Sequence, residues 1–137
     1  MGELVLSAQI ENLERVLEFV NYPLKELNCS KAFQYEINIA VEELFVNVAH
    51  YAYEDQVGQI SIQMEVQKNI ITIIFTDTGK PYNPWEKEDP DTTLSAEERL
   101  IGGLGIYMVK KSMDEVGYLY KDGKNMVTIR KKIVDKA

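Results

Sequence analysis

Apolar side chains at Ile10, Leu13, Val16, Leu17 and Val20 recur every three or four residues, which predicts an amphipathic helix closing near Asn21, Tyr22 and Pro23. Before it, residues 3–9 alternate loosely and suit a first, edge strand. A short further turn carries Leu24 and Leu27, and Ser30 then stands as N-cap of a helix running to about Tyr53. That helix has two faces. Ile37, Val41, Leu44 and Val48 stack as an apolar stripe, while Glu36, Glu43, Asn47, His50 and Glu54 fall on a polar one.

Alternation takes over next. Strands are expected at about 58–67 and 69–77, joined at Lys68 and Asn69, with the turn geometry left open. The second is apolar almost throughout (Ile70–Phe75), so it belongs in the centre of a sheet and delivers Asp77 at its carboxyl end. From Gly105 the helical period returns through Ile106, Val109, Met113 and Val116, giving a helix of about 104–115 that stops at Gly117. Two closing strands follow, about 117–121 and 125–133, with a hairpin turn over Asp122–Asn125. No internal repeat, linker or low-complexity segment interrupts the pattern.

Residues 80–101 fit neither period. They hold three of the four prolines, the single tryptophan and the acids Glu86, Glu88, Asp89, Asp91, Glu97 and Glu98. A loop of about twenty residues within a compact domain is usually functional, so this one is read as a lid. Ser95–Leu100 can form a short helix inside it, with Ser95 and Glu98 as a capping box.

Composition narrows the chemistry. A chain of 137 residues supports one domain with one core. Its net charge of -7 works against a nucleic-acid partner, which calls for a basic face. Cys29, the only cysteine, excludes an internal disulfide and reads as an ordinary thiol. With no cleavable signal and no long apolar run, a cytoplasmic location and no membrane contact are expected.

Three polar features stand out. Gly102, Gly103 and Gly105 open the later helix, where unpaired backbone N–H groups receive an anion and missing Cβ atoms let a phosphate approach; a plain turn is the competing reading. Asn47, a poor interior helix former, lies four residues after Glu43, so both side chains project to one spot. Asp77 is the third.

Glu43–Asn47, Asp77–Pro81 with Pro84, and Gly102–Ile106 resemble, in order and spacing, the N box, G1 box and G2 box of the GHKL ATP-binding fold of gyrase, MutL and histidine kinases. The short length and the stretches Asp77–Pro84 and Ser112–Val116 are most similar to its small branch, the RsbW/SpoIIAB-type anti-sigma factors, which are serine kinases. The resemblance implies an α/β two-layer sandwich, a mixed sheet with helices on one face and ATP held between the Asn47 helix and the lid.

Carried over residue by residue, it implies that Asn47 coordinates Mg²⁺ and that Asp77 accepts a hydrogen bond from the adenine amino group. It implies that Gly79, followed by Pro81, lets the backbone pass close to the base, that Thr128 supports Asp77 through its hydroxyl, and that Gly102, Gly103, Leu104 and Gly105 receive phosphates. Glu43 matches the general base, one helical turn from Asn47; its rival Glu42 points about 100° away. His50 either touches the γ-phosphate or faces solvent or core. Arg99 leads the cations Lys80, Lys110 and Lys111 for phosphate charge, against a surface ion pair with Glu97 or Glu98. The lid acids read as a solvated loop. Tyr51 stands where the branch commonly has a histidine after the N box.

The expected function is an ATP-dependent serine kinase and anti-sigma factor that phosphorylates a STAS-type anti-anti-sigma partner and binds a sigma factor, with homodimerisation suggested by resemblance alone. Two alternatives remain: a nucleotide-gated binding module without kinase activity, and a scaffold that has lost ATP.

Overall fold

A computed structural model describes residues 2–53, 57–86 and 104–134 of the chain. Five strands form one sheet: β1 (Gly2–Ser7), β2 (Gln59–Gln67), β3 (Ile70–Asp77), β4 (Glu115–Lys121) and β5 (Lys124–Lys132), in the order β1-β2-β3-β5-β4. The helices are α1 (Leu13–Glu26), α2 (Lys31–Tyr51) and α3 (Leu104–Ser112). As its apolar run predicts, β3 is central, and β1 is an edge.

One expectation changes. The sheet is antiparallel at every described pairing rather than mixed. Two tight hairpins set the β2–β3 and β4–β5 pairings. Lys68 and Asn69 turn with φ of 53° and 63°, and Asp122 and Gly123 with 54° and 76°, the double left-handed geometry that matches strand twist. After β3 the chain goes to the far edge as β4, and the second hairpin returns β5 beside β3 in the opposite sense.

Strand alternation sends Ile60, Ile62, Ile71, Ile73, Phe75, Val127 and Ile129 to one face, and all are buried. The helices cover that face with Val16, Val20 and Leu24 from α1, Ile37, Val41, Leu44 and Phe45 from α2, and Ile106 and Val109 from α3. Each such large side chain contributes about 1.5–3 kcal/mol by leaving water. The result is the expected two-layer sandwich with helices on one side.

Three boundaries differ from the expectation. Helix α1 runs through Pro23 to Glu26, because Leu24, wholly buried, and Leu27 anchor the turn that follows the proline and offset its missing N–H. Left-handed Asn28 (φ 57°) then ends that turn. Helix α3 stops at Ser112, and Gly117 lies inside β4 rather than at a helix end. Val116 satisfies both the helical and the strand period, so the pattern alone does not place the switch. Ser30 caps α2 as expected, its hydroxyl accepting from the Phe33 N–H at 3.1 Å.

Among the described residues, no helix is long and apolar enough to cross a membrane. The acids of the loop beyond Glu86, the Ser95–Leu100 helix, and Arg99, Gly102 and Gly103 lie outside the described residues.

Candidate functional site

A narrow cleft opens where the carboxyl-terminal half of α2 meets the end of β3, the start of β5 and the loop at 78–86. Leu44, Val48, Phe75 and Val127 give it apolar walls; Asn47, Tyr51, Asp77, Lys80, Tyr82 and Asn125 supply its polar groups. On α2 the lining positions 44, 47, 48 and 51 follow the helical repeat, with Ala52 at its C-cap, so one face of one helix builds one wall.

Asp77 lies deep in this cleft, only 5% exposed. Its Oδ1 accepts from the Gly79 N–H at 2.8 Å and from Asn125 Nδ2 at 3.0 Å. A buried carboxylate needs such donors. Both of these bonds fall on the one oxygen, Oδ1.

Thr128 does not provide this support. It pairs with Ile74 across β5 and β3 and stands on the open face of the sheet, whereas Asn125 pairs with Asp77 and shares its face. An odd-numbered spacing between two strand residues sends their side chains to opposite sides. A signal for Asn125 was present in the sequence: it is the polar member of the inward series completed by Val127 and Ile129.

Gly79 sits against the end of α2. A Cβ there would collide with the backbone carbonyl of Ala52, which also accepts the Lys80 N–H at 3.1 Å. Tyr53 fastens the same junction: its phenol donates to the Gln59 carbonyl at 2.6 Å and receives the Thr78 N–H at 2.9 Å. Pro81 is exposed and does not line the cleft, a place taken by the buried Pro84.

Glu43 is half-buried on the same helix. Burial pushes its carboxyl above the ordinary value of 4.5, and the neighbouring Glu42 carboxylate raises it further. Glu42 itself is exposed. A Cβ on Gly105 would overlap the Glu43 carboxyl, so the first turn of α3, which begins at Leu104, packs directly on this acid.

His50 is brought to neither group. It is exposed and outside the cleft lining, its ring edge-on to Tyr51 at 6.0 Å and 82°. Three residues past Asn47 the helix has rotated about 60° one way, while Tyr51 at four residues turns about 40° toward the cleft. Of the other cations, Lys111 lies 5.5 Å above the Tyr107 ring.

Tyr82 and Tyr118 were not singled out from sequence, yet both bond Asn125. The Tyr82 N–H donates to Asn125 Oδ1 at 3.1 Å, and the Tyr118 hydroxyl donates to the same oxygen. Burial moves the Tyr118 phenol above its ordinary value against the Tyr82 backbone bond, with Asp77 adding, so it remains a donor.

The histidine kinase-like ATPase domain family matches residues 6–131. Serine-protein kinase RsbW of Bacillus thuringiensis (strain Al Hakam) is 28% identical over 92 residues, 64% of this chain and 58% of the relative. The same figures hold for RsbW of Bacillus cereus (strain AH820), so the match spans a little over half of these relatives.

Among solved structures, that of the RsbU and RsbW domains of a Mycobacterium tuberculosis protein superposes with a TM-score of 0.68 at 16% identity, over 97% of this chain and 33% of the other. The catalytic domain of histidine kinase ThkA gives 0.58 at 13% identity, over 99% and 100%. Likeness of that order speaks to the fold. With a family match across nearly the whole sandwich, and the N-box helix and Asp77 facing one cleft, the chain belongs to the histidine kinase-like ATPase domain family.

Proposed function

We propose that this chain binds ATP and acts as an anti-sigma-type serine kinase, transferring the γ-phosphoryl group to a serine of a small STAS-type anti-anti-sigma partner. The observation that carries the reading is the buried Asp77, its Oδ1 engaged by the protein, in a cleft that Asn47 also lines. An acceptor in an apolar slot suits the amino group of adenine and disfavours a base with a carbonyl at that place.

Among the described residues no three or more His, Cys, Asp or Glu side chains gather to hold a metal. Mg²⁺ favours one or two protein oxygens plus phosphates and waters. Asn47 would be the protein ligand, and the ion would neutralise phosphate charge. Glu43 takes the serine proton as the hydroxyl oxygen bonds to the γ-phosphorus and the bond to the bridging oxygen breaks, releasing ADP. Gly102, Gly103, Leu104 and Gly105 receive the phosphates and Arg99 offsets their charge in the same reading. Residues 80–101 form the lid of a single domain that binds a sigma factor, pairs with a second copy and works in the cytoplasm.

The test is phosphoryl transfer from γ-labelled ATP to a STAS-type protein, with mass analysis of the modified residue. Label on a serine, lost in Glu43→Ala, supports the kinase. Partner binding that needs ATP but leaves its γ-phosphate in place would reassign the chain as a nucleotide-gated binding module.

A further inference from the structure

Lys131 puts a charged side chain on the helix-facing side of the sheet. It pairs with the buried Ile71 across β3 and β5, continues the inward series of Val127 and Ile129, and has a side chain only 16% exposed. Its Nζ lies 2.6 Å from the Ser112 carbonyl, 2.9 Å from Glu36 Oε2 and 5.9 Å from the centre of the Phe33 ring. Ser112 is the last residue of α3, where a cation satisfies a carbonyl without an intrahelical partner and meets the negative end of the helix dipole. Glu36 and Phe33 belong to α2. One ammonium group therefore joins β5, α3 and α2.

The other end of α3 also meets α2, where a Cβ on Gly105 would overlap the Glu43 carboxyl. The two contacts match in spacing. Glu36 to Glu43 spans seven residue steps, as does Gly105 to Ser112, which is about 10.5 Å along each helix. Helix α3 thus runs antiparallel to α2, tied at Ser112 and touching at Gly105.

We infer that Lys131 is a positioning residue of the phosphoryl-transfer site: by holding the end of α3 to Glu36, it sets the axial register at which the first turn of α3 packs on Glu43. This rests on the reading of Glu43 as the base. Glycine at 105 has no side chain with which to fix that register, so it comes from the far end of the helix. A misplacement of about 1 Å at reacting groups is enough to cost about 10²-fold in rate.

Lys131→Met keeps an apolar stem over Phe33 but carries no donor, so the Ser112 carbonyl and Glu36 both lose the ammonium. Glu36→Gln, at a partly exposed site, keeps an acceptor and removes the charge.

The experiment measures phosphoryl transfer from γ-labelled ATP to a STAS-type protein by the full chain and both variants, with kcat counted per site that binds Mg-ATP. In Lys131→Met kcat should fall by about tenfold while the KM for ATP changes by less than about threefold, because the Asp77 end of the cleft is untouched. In Glu36→Gln kcat should fall by about threefold, with KM again held; this variant decides the matter if Lys131→Met does not fold. Without nucleotide, amide hydrogen exchange over Val109–Ser112 should quicken by about tenfold in Lys131→Met. Unchanged kcat, a loss carried by KM, or unchanged exchange overturns the positioning role, while transfer by the unsubstituted chain keeps the proposed function. Failure of the unsubstituted chain to transfer phosphate overturns both.

Discussion

Glu43 carries opposed demands on one side chain. The fold half-buries it beside Glu42 and raises its pKa, so the protonated form is the one the folded state favours. The sign follows directly. As pH rises from the unfolded value near 4.5 to the raised folded value, Glu43 subtracts stability, and above that window the loss is constant. Glu43→Gln should therefore leave the thermal unfolding midpoint unchanged or raised at neutral pH, while cutting phosphoryl transfer by about 10²–10⁴-fold. The pH–rate profile should show an ascending limb displaced above an ordinary glutamate, and that limb should vanish in Glu43→Gln. A destabilised variant with intact transfer would remove Glu43 from the chemistry. Residue types were legible at this scale: Asn47 and Asp77 both line the cleft. Side-chain company was not. Support for Asp77 passed from Thr128 to Asn125 because strand register, set by the β3–β5 pairing, decides which side chains share a face.

At the scale of elements, the cleft depends on how closely the loop after β3 approaches the end of α2. Gly79 sets that approach, since a Cβ would meet the Ala52 carbonyl, and a backbone atom cannot swing aside as a side-chain tip can. Gly79→Ala should cost about 1–3 kcal/mol in urea unfolding and weaken Mg-ATP binding by more than the same substitution at Gly117. Near Gly117 the closest atom to an added Cβ is Thr128 Cβ at 3.9 Å, an ordinary contact. Equal effects at the two sites would detach the Gly79 contact from nucleotide binding. Element types followed from periodicity, because burying one helical or one strand face is what selects the repeat. Ends followed less well. Pro23 sits inside α1 and Gly117 inside β4, for a buried leucine or a ladder of strand hydrogen bonds outweighs the local preference of a single residue.

For the whole molecule, a bound nucleotide should act as a brace. A ligand that binds only the folded state at about 100 times its dissociation constant adds about 2.7 kcal/mol of stability. Mg-ATP should raise the unfolding midpoint of this chain, chelation of Mg²⁺ should reverse most of the rise, and Asp77→Asn should abolish it. In that variant Asn125 still requires an oxygen at the Oδ1 place, so the amide nitrogen must face the cleft and present a donor where adenine brings another donor. A midpoint that responds equally in Asp77→Asn would place the nucleotide elsewhere.

From the linear chain alone came the two layers, the central β3, the capped α2 and the boxes that mark the family, because all of these are written in local period, capping chemistry and short motifs. Tertiary structure alone decided the antiparallel order of the sheet, the exclusion of His50 and Pro81 from the cleft, and the bond from Asn125 to Asp77, 48 positions apart. Those outcomes turn on strand register and on degrees of helix rotation. Both are quantities of packing between distant segments, and no window of neighbouring residues contains them.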